Sequence, residues 1–165
     1  MINIVLLEPE MPANTGNIGR TCVSTGSRLH LIEPLGFRIN EKELKRAGLD
    51  YWPRLDVHTY MDINEFYNSI EPDARIFYAT TKGKNRHSDV HFQDGDYIMF
   101  GKESAGIPEE ILVQHPDECI RIPMLPDIRS LNLSNSAAIV LYEALRQTGF
   151  TNLESKGELH RLNWK

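Results

Sequence analysis

Short apolar segments alternate with polar, helix-forming segments along the chain. The first apolar run, at positions 2–7, is uninterrupted, which is typical of a strand buried on both faces of a sheet. Shorter runs predict further strands at positions 29–32, 55–58, 74–80, 97–101 and 118–122. Because strands and helices alternate, the pattern predicts an α/β fold with a mostly parallel sheet and helices on both faces.

Capping residues predict where the intervening helices begin and end. They indicate helices at about 17–27, 40–47 and 63–69, a short one after Pro108, and the longest from Asn132 or Ser134 to about 148. Gly26 is the predicted stop of the first helix. We expect one domain at positions 1–150, followed by a polar tail at 151–165 that is either frayed or a short docking helix.

Length and apolar patterning favour a soluble, cytoplasmic protein. The 165 residues suit one domain with a single core. No apolar run approaches the roughly 20 residues needed to span a bilayer. The first residues lack the basic region and small-residue cleavage site of a signal peptide. The sequence therefore predicts no membrane association.

The cysteines and the net charge exclude two other classes of site. Cys22 and Cys119 are the only cysteines and lie far apart in apolar surroundings, so we expect two buried thiols and no metal site. The net charge of −5 argues against a broad basic surface for nucleic acid, although it allows a local basic patch.

Three polar or glycine-rich loops follow the carboxyl ends of predicted strands, at positions 8–17, 101–108 and 123–134. Ligands of parallel α/β sheets bind beyond these ends. The third loop contains Pro123 and Pro126, which exclude an ordinary helix or central strand there, and then runs into the longest helix. We therefore expect the three loops to converge on one site.

The first loop combines helix-capping residues with an arginine. Asn14 and Thr15 are candidate caps, Gly16 allows a backbone turn, and Arg20 is predicted in the first helical turn, directed back at the loop. A guanidinium there could hold a phosphate. A capped helix with a solvated arginine explains the same residues.

The other candidate features also have two interpretations each. Glu103 lies in a glycine-rich turn that matches neither common phosphate-binding motif, and its carboxylate could bond loop amides or a ligand hydroxyl. The segment at 81–92 carries Lys82, Lys84 and Arg86, which suit phosphate contact or simply a solvated loop.

Taken together, the three loops resemble a known family. The motifs are Asn14-x-Gly-Asn-x-x-Arg20, Phe100-Gly-x-Glu-x-x-Gly106 and Arg129-Ser-Leu-Asn-Leu-Ser-Asn-Ser136. In this order and at this spacing they resemble the three motifs of the SPOUT class of RNA 2′-O-ribose methyltransferases. The resemblance covers positions 1 to about 150. Segments at 4–10, 46–51 and 93–97 resemble the branch that methylates the wobble cytidine or uridine of tRNA.

The resemblance implies a fold, an assembly and a cofactor. The fold would contain a deep trefoil knot in the C-terminal third, and the protein would be a homodimer. S-adenosylmethionine would bind in the knot through contacts made largely by backbone groups of Ala79, Gly101, Ile122, Ser130 and Leu131.

The resemblance also assigns residues to the substrate side. Arg20 is the candidate for activating the ribose hydroxyl, but its pKa above about 12 makes stabilisation of a developing alkoxide, or contact with the adjacent phosphate, an alternative. Asn14, Glu103 and Asn132 match motif positions that would shape the catalytic site, and the candidates for contact with tRNA phosphates are Lys82, Lys84 and Arg129.

Two other functions fit parts of the pattern. A catalytically silent RNA-binding member of the fold would be expected to lack Arg20 or the loop with Ser130 and Asn132, and this chain has them all. A nucleotide-binding enzyme of another kind would be expected to carry a standard phosphate loop, which is absent from this sequence. We therefore expect a cofactor-dependent tRNA ribose methyltransferase.

Overall fold

The computed structural model describes residues 1–38 and 51–165. Their helices and strands follow one another in the order β1 (Asn3–Leu7), α1 (Pro12–Thr25), β2 (Arg28–Ile32), a 3₁₀ turn (Trp52–Arg54), β3 (Val57–Tyr60), α2 (Ile63–Ser69), β4 (Ile76–Ala79), β5 (Asn85–Arg86), β6 (Tyr97–Phe100), α3 (Glu109–Leu112), β7 (Cys119–Arg121) and α4 (Leu133–Gln147).

The strands of these two ranges form one parallel sheet in the order β3-β2-β1-β6-β4-β7-β5, as the sequence predicted for the class of fold. The register holds to the carboxyl ends, because Phe100 of β6 lies beside both Leu6 of β1 and Ala79 of β4. Ala79 lies in turn beside Ile120 of β7. The loops that leave β1, β4, β6 and β7 therefore emerge at one edge of the sheet.

Side chains of the sheet enter two cores, one on each face. Leu6 of β1 belongs to the core that α1 and α4 cover, together with the fully buried Cys22. Its neighbour Val5 points to the opposite face, where Phe66 of α2 and Leu112 of α3 close the second core. Helices cover both faces, as predicted. Burial raises the pKa of the Cys22 thiol to about 12, so it packs as a small apolar group.

The start of α1 differs from the prediction. The helix begins at Pro12, five positions before the predicted start at 17, with Pro12 in the first turn where its missing N–H costs nothing. Asn14 and Gly16 are therefore helical and buried rather than parts of a loop, and the cap position is Met11, whose side chain does not cap. The predicted stop is confirmed, since Gly26 has a φ of 67°.

The third strand also lies later than predicted, at Val57–Tyr60 instead of 55–58. Leu55 closes the 3₁₀ turn by donating its N–H to the Trp52 carbonyl. A methyl added to Gly19 of α1 would lie 3.1 Å from Leu55 Cδ2 and 3.3 Å from Trp52 Cζ3. The small residue in α1 therefore lets the turn pack closely on the helix.

Two predicted helices are confirmed together with their caps. Asp62 accepts a hydrogen bond from the Glu65 N–H at the start of α2. Asn132, rather than Ser134, is the cap of α4 and accepts from the N–H groups of Ser134 and Asn135. The predicted helix at 40–47 lies outside the described residues.

The polar segment predicted as loop contains β5, which pairs with β7. The tail at 151–165 forms no helix or strand, so the alternative of a docking helix is wrong. Leu153 of that tail packs on the first core.

Candidate active site

A pocket of about 300 Å³ opens at the carboxyl edge of the sheet. Its walls come from the segments that follow β4, β6 and β7, and from the first turn of α4. Ile107, Ile122, Met124 and Leu133 supply apolar surface, and polar side chains and backbone stand between them. The lining has the mixture of apolar walls and a few polar groups that suits a small organic ligand.

Each residue that the resemblance assigns to the cofactor lines this pocket: Ala79, Gly101, Ile122, Ser130 and Leu131. Ala79 and Leu131 are more than 50 positions apart in the sequence. The residues nevertheless meet, because the strands whose carboxyl ends lead to the pocket, β6, β4 and β7, are neighbours in the sheet. Apolar side chains and backbone polar groups lie together on its walls, and this combination suits the flat base and polar edges of an adenosyl group. Its cations are Lys82, Lys102 and Arg129.

Gly101 sets the shape of the pocket-forming turn. A Cβ at this position would lie 2.0 Å from the Gly106 carbonyl carbon and 2.2 Å from the Ile107 nitrogen. The turn is closed by a hydrogen bond of 2.8 Å from the Gly106 N–H to the Lys102 carbonyl. Only glycine permits the two sides of this turn to approach so closely.

Glu103 is the remote cap of α1. Its carboxylate accepts hydrogen bonds from the Glu10 N–H at 2.8 Å and from the Met11 N–H at 3.2 Å. It also accepts from the Asn14 amide at 3.0 Å. Of the two roles considered from sequence, bonding to loop amides is the one that this geometry displays, because Glu103 holds the N–H groups of the two residues that precede α1.

Asn14 connects this cap to the third motif. Its Oδ1 accepts a hydrogen bond of 3.0 Å from Asn132 Nδ2, while its own Nδ2 donates to Glu103. Asn132 uses its Oδ1 to cap α4. The three residues predicted to shape the site thus form one continuous chain, Glu103–Asn14–Asn132, in which each side chain already has protein partners. Glu103 also lines the pocket, whereas Asn14 and Asn132 are not among its lining residues.

Arg20 lies in the middle of α1, not in its first turn as predicted, because the helix begins at Pro12. The side chain is exposed, and its guanidinium carbon lies 4.8 Å from the centre of the Tyr51 ring. The Tyr51 hydroxyl donates to the Gly16 carbonyl, which fixes the ring against the same helix. The geometry is that of a cation–π contact that presents an arginine on an outer face of α1.

The predicted phosphate-binding cations differ in what they contact. Lys82 pairs with Glu109 at 2.7 Å, and this contact lowers the pKa of the Glu109 carboxyl. Arg129 donates to the Ser104 carbonyl at 2.9 Å. Lys84 is exposed and forms no ion pair within the described part of the chain. Lys84 is therefore the cation of this group most available to a phosphate.

Sequence reasoning missed a second set of contacts between the first loop and the pocket turn. Glu8 pairs with Lys102 at 2.8 Å, and Glu10 bonds both the N–H and the hydroxyl of Ser104. The only signal in the sequence was the pair of acids after β1, in the run Glu8-Pro-Glu10. Such a pair is common in solvated loops and does not by itself indicate a partner about 94 positions away.

Across positions 1–38 and 51–165, no group of three or more histidine, cysteine, aspartate or glutamate side chains is arranged to hold a metal ion. Within the same ranges, every helix is too short or too polar to cross a membrane.

Known proteins resemble this chain over nearly its whole length. Residues 1–142 match the SpoU rRNA Methylase family. The tRNA (cytidine(34)-2′-O)-methyltransferase of Escherichia coli K12 is 54% identical over 151 residues, which are 91% of this chain and 96% of that protein. A structure described as giving insights into the 2-OH methylation of C/U34 on tRNA is 42% identical, with a TM-score of 0.84 over 90% of this chain and 96% of that one.

A more distant structure has the same fold. The SpoU methyltransferase AviRb of Streptomyces viridochromogenes, solved in complex with AdoMet, is 22% identical with a TM-score of 0.77. The superposition covers 88% of this chain and 57% of AviRb. The sequence match over residues 1–142 and the close relatives agree with the motifs and the sheet, and the chain belongs to the SpoU methylase family.

Proposed function

We propose that this protein transfers a methyl group from S-adenosylmethionine to the ribose 2′-OH of the wobble nucleotide, C34 or U34, of tRNA. The observation that carries the proposal is that residues of the second and third family motifs line one pocket at the carboxyl edge of the sheet, and that Asn14 of the first motif is hydrogen-bonded to both. Relatives that share about half of their residues with this chain, over more than nine-tenths of its length, bear the name of this activity. A tRNA substrate also favours the cytoplasm as the place of the reaction.

The cofactor pocket would be formed by Ala79, Gly101, Ile122, Ser130 and Leu131. Apolar side chains would cover the faces of an adenine, and the backbone groups of the irregular turns would bond its edge and the ribose. When bound, the cofactor supplies the methyl group on a sulfonium, and the protein contributes position and proton handling.

On the substrate side, Arg20 would lie against the nucleotide that receives the methyl group. Its guanidinium stays charged at neutral pH, so we propose that it stabilises the negative charge that develops on the 2′-oxygen, or holds the adjacent phosphate. Asn14, Glu103 and Asn132 would act by fixing α1 and the pocket turn relative to each other. Arg129, Lys82 and Lys84 would contact phosphates of the tRNA.

A homodimer would bring these two sides together. Arg20 is exposed on an outer face of α1 and is not part of the pocket lining. Helix α4, which packs beside α1, exposes 40% of Ile139 and 47% of Tyr142. Apolar residues one turn apart on an outer face favour a second subunit there. We propose that the Arg20 of one subunit serves the pocket of the other.

The chain near the pocket would also form a deep trefoil knot. Two contacts support close threading of the segment after β4 around β7. The Thr80 N–H donates to the Ile120 carbonyl at 2.9 Å, and a Cβ at Gly83 would lie 2.7 Å from the Ile120 carbonyl carbon. A crystal structure would test this: when the two ends of the traced backbone are joined outside the molecule, the resulting closed path is either knotted or unknotted.

Calorimetry with S-adenosylhomocysteine tests the cofactor part of the proposal. We expect the wild-type protein to bind at one site per chain. Leu131→Glu places a carboxylate in the pocket from a position that is 37% exposed, so we expect this variant to fold and to lose binding. Absence of binding by the wild-type protein would contradict the proposed function.

A further inference from the structure

Glu10 lies in the loop between β1 and α1 and belongs to none of the three motifs. Its Oε2 accepts a hydrogen bond of 2.8 Å from the Ser104 N–H, and its Oε1 accepts one of 2.8 Å from the Ser104 hydroxyl. Ser104 lines the pocket. One carboxylate outside the pocket therefore accepts from both hydrogen-bond donors of a residue in its wall.

The backbone of Glu10 is fixed from two further directions. Its N–H donates to Glu103 Oε2 at 2.8 Å, so the two loops exchange carboxylate contacts in both directions. On the other side, a Cβ at Gly36 would lie only 2.6 Å from the Glu10 carbonyl oxygen. The Gly36 N–H also donates to the Pro9 carbonyl at 2.9 Å. These contacts hold the backbone of Glu10 at the position from which its carboxylate reaches Ser104.

Ser104 extends the connection to the third motif. Its carbonyl accepts a hydrogen bond of 2.9 Å from Arg129 Nη2, and Arg129 also lines the pocket. The path from the start of α1 thus runs through Glu10 and Ser104 to Arg129. Arg20 stands on the same helix, two turns after its start.

The contacts are of the strong, charge-assisted type. A carboxylate that accepts from an N–H and an O–H forms shorter and stronger hydrogen bonds than a neutral acceptor. The hydroxyl and the N–H of Ser104 hold the pKa of the Glu10 carboxyl below its usual range, with Lys102 adding to the effect. Glu10 is therefore ionised at neutral pH.

We propose that Glu10 is a positioning residue that couples the cofactor pocket to helix α1, so that binding of the cofactor in one place orders the start of the helix that carries Arg20. The inference rests on the proposed function, because it takes the pocket as the cofactor site and Arg20 as the residue on the nucleotide side. Coupling of this kind is reciprocal: if the ligand steadies the start of α1, loss of the contact weakens the ligand.

The test compares Glu10→Ala and Glu10→Gln with the wild-type protein and with Glu110→Ala. Glutamine keeps one acceptor for the Ser104 N–H and offers its amide to the hydroxyl, so it can restore the contact without the charge. Glu110 is exposed, and its side chain makes no hydrogen bond or ion pair within the described residues, so Glu110→Ala controls for the loss of one negative charge.

Two readouts are taken with S-adenosylhomocysteine as the probe: its Kd, and the slowing of hydrogen exchange that it causes at the Glu10 and Met11 amides. These amides bond Glu103 and are not part of the pocket lining, so their slowing reports coupling rather than direct contact. We expect slowing of about tenfold in the wild-type protein and less than about threefold in Glu10→Ala, within the usual range of coupling between sites.

We also expect the Kd of Glu10→Ala to rise about tenfold, that of Glu10→Gln to stay within about threefold of the wild-type value, and Glu110→Ala to match the wild-type protein. If Glu10→Ala does not fold, the test uses Ser104→Ala, which removes the hydroxyl donor to Glu10, and we expect losses in both readouts that lie between those predicted for Glu10→Ala and Glu10→Gln. Wild-type affinity and slowing in every folded variant would overturn the coupling alone. Failure of the wild-type protein to bind would instead overturn the proposed function, and the coupling with it.

Discussion

Asn132 and Asn14 lie 118 positions apart in the chain and are joined by a hydrogen bond of 3.0 Å between Nδ2 of Asn132 and Oδ1 of Asn14. The bond links the first turn of α4 to the first turn of α1, and through Asn14 it reaches Glu103 in the pocket turn. These hydrogen bonds hold α1, the pocket turn and α4 in fixed positions relative to one another.

Substitution of Asn132 separates its two roles. Asn132→Ser keeps a capping oxygen for α4 but loses the bond to Asn14, whereas Asn132→Ala loses both. We expect Asn132→Ala to lower the free energy of unfolding by about 1–2 kcal/mol more than Asn132→Ser, the usual effect of a lost helix cap. Urea denaturation measures the difference. Both variants should lose methyl transfer, and retention of full activity by Asn132→Ser would show that the bond to Asn14 is dispensable.

Arg20→Ala is expected to abolish methyl transfer while leaving the Kd for S-adenosylhomocysteine within about threefold of the wild-type value, because Arg20 does not line the pocket. Arg20→Lys should recover little activity, since an ammonium lacks the planar, forked donors of a guanidinium. Activity is measured on tRNA and affinity by calorimetry. An active Arg20→Ala protein would remove Arg20 from the mechanism.

Mixed dimers test whether the site is shared between subunits. When Arg20→Ala and Leu131→Glu chains are combined at equal amounts and allowed to exchange, random pairing gives half mixed dimers, each with one intact composite site. We expect recovery of about one quarter of wild-type activity, although each variant alone is inactive. If Arg20 serves the pocket of its own subunit, mixing will recover none.

The basic segment is tested through the salt dependence of tRNA binding. Lys84→Ala should reduce the slope of log K against log salt concentration by about 0.7–0.9, the value for one phosphate contact. Lys82→Ala should reduce it less, because Lys82 already pairs with Glu109. Lys165→Ala, at the end of the tail, is the control for the loss of one positive charge. Equal slopes in all of these proteins would exclude the segment from the RNA-binding surface.

The buried His30 should make the free energy of unfolding depend on pH. The ring is 3% exposed, bonds the Tyr60 hydroxyl at 2.8 Å and faces Asn3, and burial followed by the nearby His58 and Arg28 lowers its pKa from 6.5 to about 4. A histidine with a lowered folded-state pKa stabilises the protein above pH 6.5, and this contribution is lost as the pH falls from 6.5 towards 4.

Urea denaturation at several pH values between these limits measures the loss, which should approach about 3 kcal/mol for the wild-type protein. His30→Gln, which can bond the same partners without titrating, should show a flatter profile over this range. Parallel profiles for the two proteins would show that His30 is not the titrating group.

Much of the fold was predictable because its signals are local. The apolar run of β1, the glycine at position 26 and the caps at Asp62 and Asn132 each act within a few residues, and the structure confirms them. The alternation of elements was sufficient to predict the parallel sheet, and the polar loops after the strands indicated the edge that carries the pocket.

The errors arose where distant residues decide the local structure. The two residues before α1, Glu10 and Met11, donate their N–H groups to Glu103, more than 90 positions away, and no residue near Pro12 indicates this contact. Strand β5 has two residues and exists through its pairing with β7. The Glu10–Ser104 contact could not be predicted from the sequence for the same reason, because the two residues lie far apart in the chain.

Mass mapping of tRNA after incubation with the protein and S-adenosylmethionine shows whether this protein methylates the wobble ribose. We expect one added methyl group on the ribose of nucleotide 34, as in the activity for which the Escherichia coli relative is named, and none in a parallel reaction with Arg20→Ala. A methyl group on a base, on another nucleotide, or on no nucleotide at all would overturn the proposed function.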